Sequence, residues 1–244
     1  MDKKTRTIFI TGLLGGVAGS FLFLLLSANK FIIGTDSLRL SGQVLNLTTP
    51  IPVLTLAAGL WEKIAADQSL SIVGIQVFLN NRLVKEGSGI IISSDGLVLT
   101  TADMAISGAI YQMSYEDQII KGSIKSVDYN LNLLLLRAPS DFSKVAEFNA
   151  SQDYKSGQEV LVVGKIIDIT KPVLVTKQGI ISYVAGNKIV LDLVSNSYLS
   201  GAGVINANQR LIGISYLRSN KVQVIGAGTI DGFLRDYFSK TDNK

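Results

Sequence analysis

The chain contains neither cysteine nor histidine. Without cysteine there is no disulfide framework and no thiolate metal site. Without histidine the commonest general base and the commonest zinc ligand are both gone. No metal and no cofactor is therefore expected. Charge is sparse as well: charged residues make up 17% of the 244, against 47% hydrophobic, which is too apolar for a disordered chain. The formal net charge is +4, and Lys3, Lys4 and Arg6 against Asp2 supply +2 of it. The remainder is diluted along the chain with no basic stripe interleaved with aromatics, so nucleic acid is not expected as a partner. Nothing repeats at a fixed period, which excludes solenoids and propellers.

Charge is missing altogether between Ile8 and Ala28, a run of 21 residues that includes Phe21-Leu22-Phe23-Leu24-Leu25-Leu26. At 1.5 Å per residue such a helix spans roughly 30 Å, the thickness of a bilayer's hydrocarbon core. The cluster Lys3, Lys4, Arg6 ahead of it favours a cytoplasmic N-terminus, which puts everything from Lys30 onward on the outer side. A cleaved leader would need small residues before the cut, and Leu26-Ser27-Ala28 is a poor version of that pattern. The expectation is an uncleaved membrane anchor over residues 1–29, a linker over 30–54 and one domain over 55–240. Thr48-Thr49-Pro50-Ile51-Pro52 reads as extended tether.

Helical spacing follows over Leu54–Ala66, with Leu56, Leu60 and Ile64 on one side. The chain then becomes a series of short β-rich runs punctuated by turn residues, the pattern of an all-β barrel or sandwich. A first set comprises Ser71–Leu79, Leu83–Ser93, Leu97–Ala102, Ile119–Asp128 and Leu133–Arg137. A second comprises Glu159–Ile167, Val173–Val184, Lys188–Val194, Gly203–Ile205, Arg210–Leu217 and Lys221–Ala227. Asn80-Asn81, Asp95-Gly96, Gly186-Asn187 and Asn208-Gln209 supply turns. With a break near Pro139–Lys155 the pattern predicts two barrels, closed by a short amphipathic helix over Asp231–Phe238.

Four segments carry a family likeness. Glu86 to Thr100, reading Glu-Gly-Ser-Gly-Ile-Ile-Ile-Ser-Ser-Asp-Gly-Leu-Val-Leu-Thr, resembles the strand pair that leads to the catalytic histidine in trypsin-like serine proteases of the HtrA (Deg) type. Asp128-Tyr129-Asn130-Leu131-Asn132-Leu133-Leu134-Leu135-Leu136-Arg137 resembles the segment carrying the catalytic aspartate. Gln178-Gly179-Ile180-Ile181-Ser182 is similar to a strand of the second barrel. Ser200-Gly201-Ala202-Gly203-Val204-Ile205-Asn206, with Leu211-Ile212-Gly213-Ile214, is similar to the nucleophile segment and the strand after it. Order and spacing match over about residues 55–238. The resemblance implies a trypsin-like double β-barrel, and a chain ending so soon after it leaves no room for the PDZ module that often follows in this family.

Position by position, the triad implied by the resemblance is not there. Asp103 stands where the family has histidine, and Asn132 where it has aspartate. Ser200 keeps the nucleophile's residue type. Tyr198 replaces the glycine expected two residues earlier, so the oxyanion pair would be Tyr198 and Ser200. A serine hydroxyl needs a base of near-neutral pKa that takes its proton and returns it to the leaving amine. A carboxylate, with an ordinary pKa of about 3.9, is a weak base with no proton to return. Asn132 has no charge to stabilise a protonated partner, and a tyrosine resists the positive φ that glycine gives an oxyanion turn. Asp103 in a solvated or helix-capping role is the plainer reading of that carboxylate. A Ser200–Lys165 pair is the other conceivable source of a base, Lys165 following Gly164 in a loop that the resemblance places near the oxyanion site. The leading expectation is a membrane-anchored pseudoprotease that binds extended peptides or envelope proteins along Ser215-Tyr216-Leu217-Arg218, by strand addition. An active serine endopeptidase with a non-histidine base is the alternative.

Overall fold

The computed structural model describes residues 53–148, 154–168 and 171–241, with side chains from Gly59 onward. The expected anchor at residues 1–29 and nearly all of the linker lie outside the described residues. Among the described residues, no helix is long and apolar enough to cross a bilayer.

Helix α1 (Val53–Ser69) leads into twelve strands. The first six are β1 (Ile72–Leu79), β2 (Arg82–Ile91), β3 (Leu97–Thr101), β4 (Ile110–Tyr115), β5 (Gln118–Asp128) and β6 (Leu133–Arg137). The second six are β7 (Glu159–Asp168), β8 (Lys171–Ala185), β9 (Lys188–Val194), β10 (Gly203–Asn206), β11 (Leu211–Arg218) and β12 (Lys221–Gly226), followed by helix α2 (Ala227–Thr241). Each set closes into an antiparallel barrel, in the orders β1-β2-β3-β6-β5-β4 and β7-β8-β9-β12-β11-β10. The two orders are the same topology used twice. Closure pairs every strand on both sides along part of its length, and β11 runs past the end of β10, which pairs it only as far as Ile214.

Short loops fix the register. Asn80 and Asn81 (φ 50° and 61°) turn β1 into β2, and Ser219 and Asn220 (φ 53° and 58°) turn β11 into β12. Two consecutive positive φ values are the two-residue hairpin geometry whose twist matches that of the flanking strands.

Burial explains the leucine run. Leu133, Leu134, Leu135 and Leu136 of β6 are all fully buried. Alternate residues point to opposite faces, so Leu134 and Leu136 fill the first barrel with Val73, Ile75, Val98 and Met113. Leu133 and Leu135 face outward into a second core, shared with Leu161, Val163, Ile205, Ile214 and Ile225 of the other barrel. The helices cover this shared core. Trp61, Ile64 and Ala65 come from α1, and Ile230 and Phe233 from α2. The second barrel's interior is made by Val160, Val162, Ile181, Leu191, Val204, Val222 and Val224.

Two expectations change in detail. Both helices are longer than their apolar spacing suggested: α1 runs on through the polar residues Asp67, Gln68 and Ser69, and α2 begins at Ala227, with Ile230 buried in the shared core. Strand β4 is a twelfth strand that the apolar pattern did not reveal. Its sequence alternates Tyr111 and Met113 with Gln112 and Ser114, yet Ser114 is buried too. The Ser114 hydroxyl accepts the Gly74 amide at 2.9 Å, so a polar residue occupies a core position at little cost. Leu135 is the test of the shared core: Leu135→Ala should lower unfolding stability by about 2–5 kcal/mol, since a fully enclosed leucine leaves a cavity. Urea denaturation would measure it, and a loss below about 1 kcal/mol would mean the barrels do not rely on this seam.

Candidate functional site

Ser200 and Asp103 come from different barrels and meet across the seam. Asp103 sits in a single 3-10 turn, Ala102–Met104, directly after β3. That turn is pinned from below, since the Ala102 amide donates to the Asn132 carbonyl at 3.1 Å. Asn132 takes φ 56°, at the end of a turn in which Asp128 Oδ1 accepts the amides of Asn130 and Leu131, each at 2.9 Å. Asparagine tolerates this left-handed conformation better than most residues. Asn132 therefore contributes its main chain to the site, and no hydrogen bond joins its side chain to Asp103 or Ser200.

Ser200 follows a second 3-10 turn, Ser197–Leu199, and is 5% exposed. Its Oγ donates to Asp103 Oδ1 at 3.3 Å and lies 3.0 Å from Thr101 Oγ1. One hydroxyl proton cannot serve both contacts, so Thr101 donates to Ser200. The other carboxylate oxygen, Asp103 Oδ2, accepts Lys85 Nζ at 3.1 Å. The result is a chain Thr101–Ser200–Asp103–Lys85. Thr101 and Lys85 are site residues that the sequence reading missed. Only their strand positions, one at the end of β3 and one on β2, point to them.

The amides that would serve as an oxyanion pair are both turned to internal acceptors. Tyr198 N donates to Asn196 Oδ1 at 3.2 Å, and Ser200 N donates to the Ser197 carbonyl at 3.1 Å. Tyr198 lies within the 3-10 turn and is absent from the positive-φ residues, so the tyrosine fits without backbone strain. Gly201 takes the left-handed conformation instead, at φ +75°. A Cβ there would lie 2.0 Å from the Ser88 carbonyl oxygen, so no other residue fits.

Lys165 is in strand β7, not in a loop, and it does not reach Ser200. Its main chain approaches the site: Lys165 N donates to Ser88 Oγ at 3.0 Å, and Ser88 Oγ donates to the Lys165 carbonyl at 3.1 Å. Burial pushes its ammonium below the usual lysine value of 10.5, with the Glu116 carboxylate acting weakly against that shift. The lysine that reaches the site is Lys85, through Asp103.

Two cavities flank Asp103. One, of about 390 Å³, is bordered by Leu83, Val84, Lys85, Asp103, Ser200 and Leu217. The other, of about 570 Å³, is bordered by Asp103, Asn132, Tyr216, Leu217 and Arg218 among others. Leu217 borders both. The four residues expected to bind peptide thus divide. Ser215 is buried, its amide donates to the Ala202 carbonyl and its carbonyl accepts the Gly201 amide, both at 2.8 Å. Its hydroxyl donates to the Leu199 carbonyl, with the Ala202 carbonyl also close at 3.2 Å. Tyr216 OH donates to Gln223 Oε1 at 2.8 Å. Successive strand residues turn their main-chain groups to opposite edges. With Ser215 facing away from β12, Tyr216 and Arg218 face β12, their partners being Gln223 and Lys221. Leu217 faces the open edge.

A closed pair of six-stranded barrels with a serine at the seam defines the trypsin-like class. Residues 87–214 match the trypsin-like peptidase domain, and the chain belongs to that family. It is homologous to HtrA-type serine proteases. The serine protease HTR4 of Rattus norvegicus is 26% identical over 205 residues, covering 75% of this chain and 41% of the relative. The chain thus spans about two-fifths of the length of that curated relative. The serine endoprotease from Yersinia pestis shares the fold at TM-score 0.63 and 20% identity, covering 72% of this chain and 66% of that one. The inactive serine-to-alanine form of Rv3671c from M. tuberculosis does so at TM-score 0.59 and 20% identity, with 72% and 90% covered.

Lys165 gives the site a pH signature with a definite sign. A lysine whose folded pKa is depressed burdens the folded state at pH values below that pKa. The burden disappears as pH rises through it toward the ordinary 10.5. Lys165→Met should raise the thermal midpoint at pH 7 and flatten the gain in stability that the unaltered protein shows on the alkaline side. Calorimetry across that range decides it, and a lower midpoint for the variant would mean the ammonium is stabilised in place.

Proposed function

We propose that this chain is a membrane-anchored, HtrA-type trypsin-like domain that binds extended peptides or envelope proteins without cutting them. Residues 8–28 hold it in the membrane with the domain on the outer side, as their length and the preceding cations favour. One observation carries the reading: Ser200 Oγ is met by a threonine hydroxyl and a lysine-paired carboxylate, in a chain with no imidazole.

Each part of that arrangement works against acyl transfer. The Thr101 proton engages a lone pair that the nucleophile would need. Asp103 accepts from Lys85 as well as from Ser200, and offers no two-sided relay of the kind an imidazole provides. The amides of Tyr198 and Ser200 would both have to break internal hydrogen bonds before stabilising an oxyanion. Removing triad members leaves at most roughly 10³–10⁴-fold catalysis, drawn from the oxyanion hole and binding, and that first source is occupied here. The 3.3 Å contact between Ser200 and Asp103 is the one feature favouring the alternative, an active endopeptidase using Asp103 as base.

Binding survives where catalysis does not, because strand addition requires only main-chain geometry. Leu217 turns its amide and carbonyl to an open edge between two cavities. Tyr216 and Leu217 add aromatic and apolar surface, and Arg218 adds a cation.

Two experiments test the two halves. A fluorophosphonate probe should not label the full-length chain in detergent, and Ser200→Ala should leave peptide turnover at background. Labelling that Ser200→Ala abolishes would establish the active enzyme instead. Leu217→Pro removes the outward amide while leaving the ladder to β12 intact. It should weaken capture of peptides from a random library by about fivefold or more, one hydrogen bond being worth about 1 kcal/mol. The thermal midpoint should barely move. Capture unchanged in the folded variant would put recognition on another surface.

A further inference from the structure

Beyond the Leu217 edge, a cavity on the outer face of the second barrel gathers cations from three strands, and no carboxylate lines it. Register brings them together. Tyr216 and Arg218 of β11 lie opposite Gln223 and Lys221 of β12. Gln223 lies opposite Val190 of β9, and Val190 opposite Tyr183 of β8. Lys188 is two residues from Val190 and so shares its face. Tyr183, Lys188, Tyr216, Arg218 and Lys221 border a cavity of about 600 Å³ with no aspartate or glutamate in its lining. Among the described residues the ion pairs are Lys85–Asp103, Arg137–Asp95 and Arg235–Asp231, and none includes these three cations.

The arrangement is costly in the free protein. Arg218 and Lys221 close a hairpin and face each other directly across it. Like charges in that position destabilise a sheet. The tight turn at Ser219 and Asn220 holds the two strands in that register. Lys188 is held over the Tyr183 ring, its Nζ 5.7 Å from the centroid. A face left to solvent gains nothing from setting like charges opposite each other, whereas an anion placed among them relieves the repulsion.

We propose that this face is a specificity site for acidic side chains, so that the partner is an extended segment with Asp or Glu beside its Leu217-bound residue. The inference rests on the peptide-cleft reading. Arg218 joins the two regions, since it also borders the cavity that contains Leu217 and Asn132. A strand laid on the edge at Leu217 advances about 3.3 Å per residue. Arg218 is the next residue along β11, Lys221 lies opposite it on β12, and Lys188, on β9 and level with Ile214, lines the same cavity. An acidic side chain beside the Leu217-bound residue therefore enters a space bordered by all three cations.

The test uses the full-length chain in detergent and pools of short, terminally blocked fluorescent peptides. Each pool fixes Glu, Gln or Lys at one position and randomises the others. Glu pools should bind about fivefold more tightly than Gln pools at adjacent positions, as a few exposed ion pairs allow. That preference should vanish at roughly 1 M salt, where the Debye length is about 3 Å. Lys188→Gln combined with Lys221→Gln should remove the Glu preference, leave Gln-pool binding as it was, and hold or raise the thermal midpoint. Lys188→Glu, a single change, should shift preference toward the Lys pools and serves if the double variant folds poorly. Equal binding of Glu and Gln pools overturns the acidic specificity while the cleft reading stands. If no pool shows binding that Leu217→Pro weakens, the cleft reading fails and the acidic site falls with it.

Discussion

Ser88 is fully buried, and two of its polar groups, the amide and the hydroxyl, tie the first barrel to the second. Its amide donates to the Ser200 carbonyl at 2.8 Å, and its hydroxyl both accepts from and donates to the main chain of Lys165. Its carbonyl accepts the Thr100 hydroxyl at 2.7 Å, which anchors it within its own barrel. A buried polar group left unpaired costs the full desolvation of that group, so this residue holds both barrels in one register. The constraint reaches the glycines around it. A Cβ on Gly164 would approach Ser88 Oγ to 2.5 Å, and one on Gly201 would strike its carbonyl. The turn that presents Ser200 therefore has its position dictated from the opposite barrel.

Because that frame is made of main chain and small residues, it is indifferent to the identity of the groups that would do chemistry. Asp103 and Asn132, which the resemblance sets at the histidine and aspartate positions, sit in turns that leave both barrels closed. What they change is the local bonding. The carboxylate of Asp103 draws in Lys85, and the asparagine settles into a left-handed turn and lends its carbonyl to the Asp103 turn. The amides near Ser200 then find partners within their own segment. Each replacement is locally satisfied, and among the described residues no buried side-chain polar atom lacks a partner. An oxyanion hole keeps its donors aimed at a charge not yet formed, whereas the amides of Tyr198 and Ser200 are bonded within their own segment.

Much of the fold was written in local pattern. Short β-rich runs between turn residues marked eleven of the twelve strands. The unbroken Leu133–Leu136 run marked a strand buried on both faces. β4 escaped because its buried positions include a serine whose partner, Gly74, lies forty residues away. Of the site, the sequence named Asp103 and Ser200, which the fold brings into contact, and Asn132, which joins them only through its main chain.

What the sequence determined alone was the inventory: no imidazole, no thiol, a serine in a Ser-Gly-Ala-Gly turn, and enough alternating strands for two barrels. Tertiary structure decided which side chains share a space. Nothing local distinguishes Lys85 from Lys165 as the lysine of the site, and the choice follows from the strand and turn to which each belongs. The same holds for Lys188, Arg218 and Lys221, which sit on separate strands and become one cationic face only through cross-strand register. Electrostatic contacts depend on distance through space, and a chain read in one dimension carries that distance only after its strands have paired.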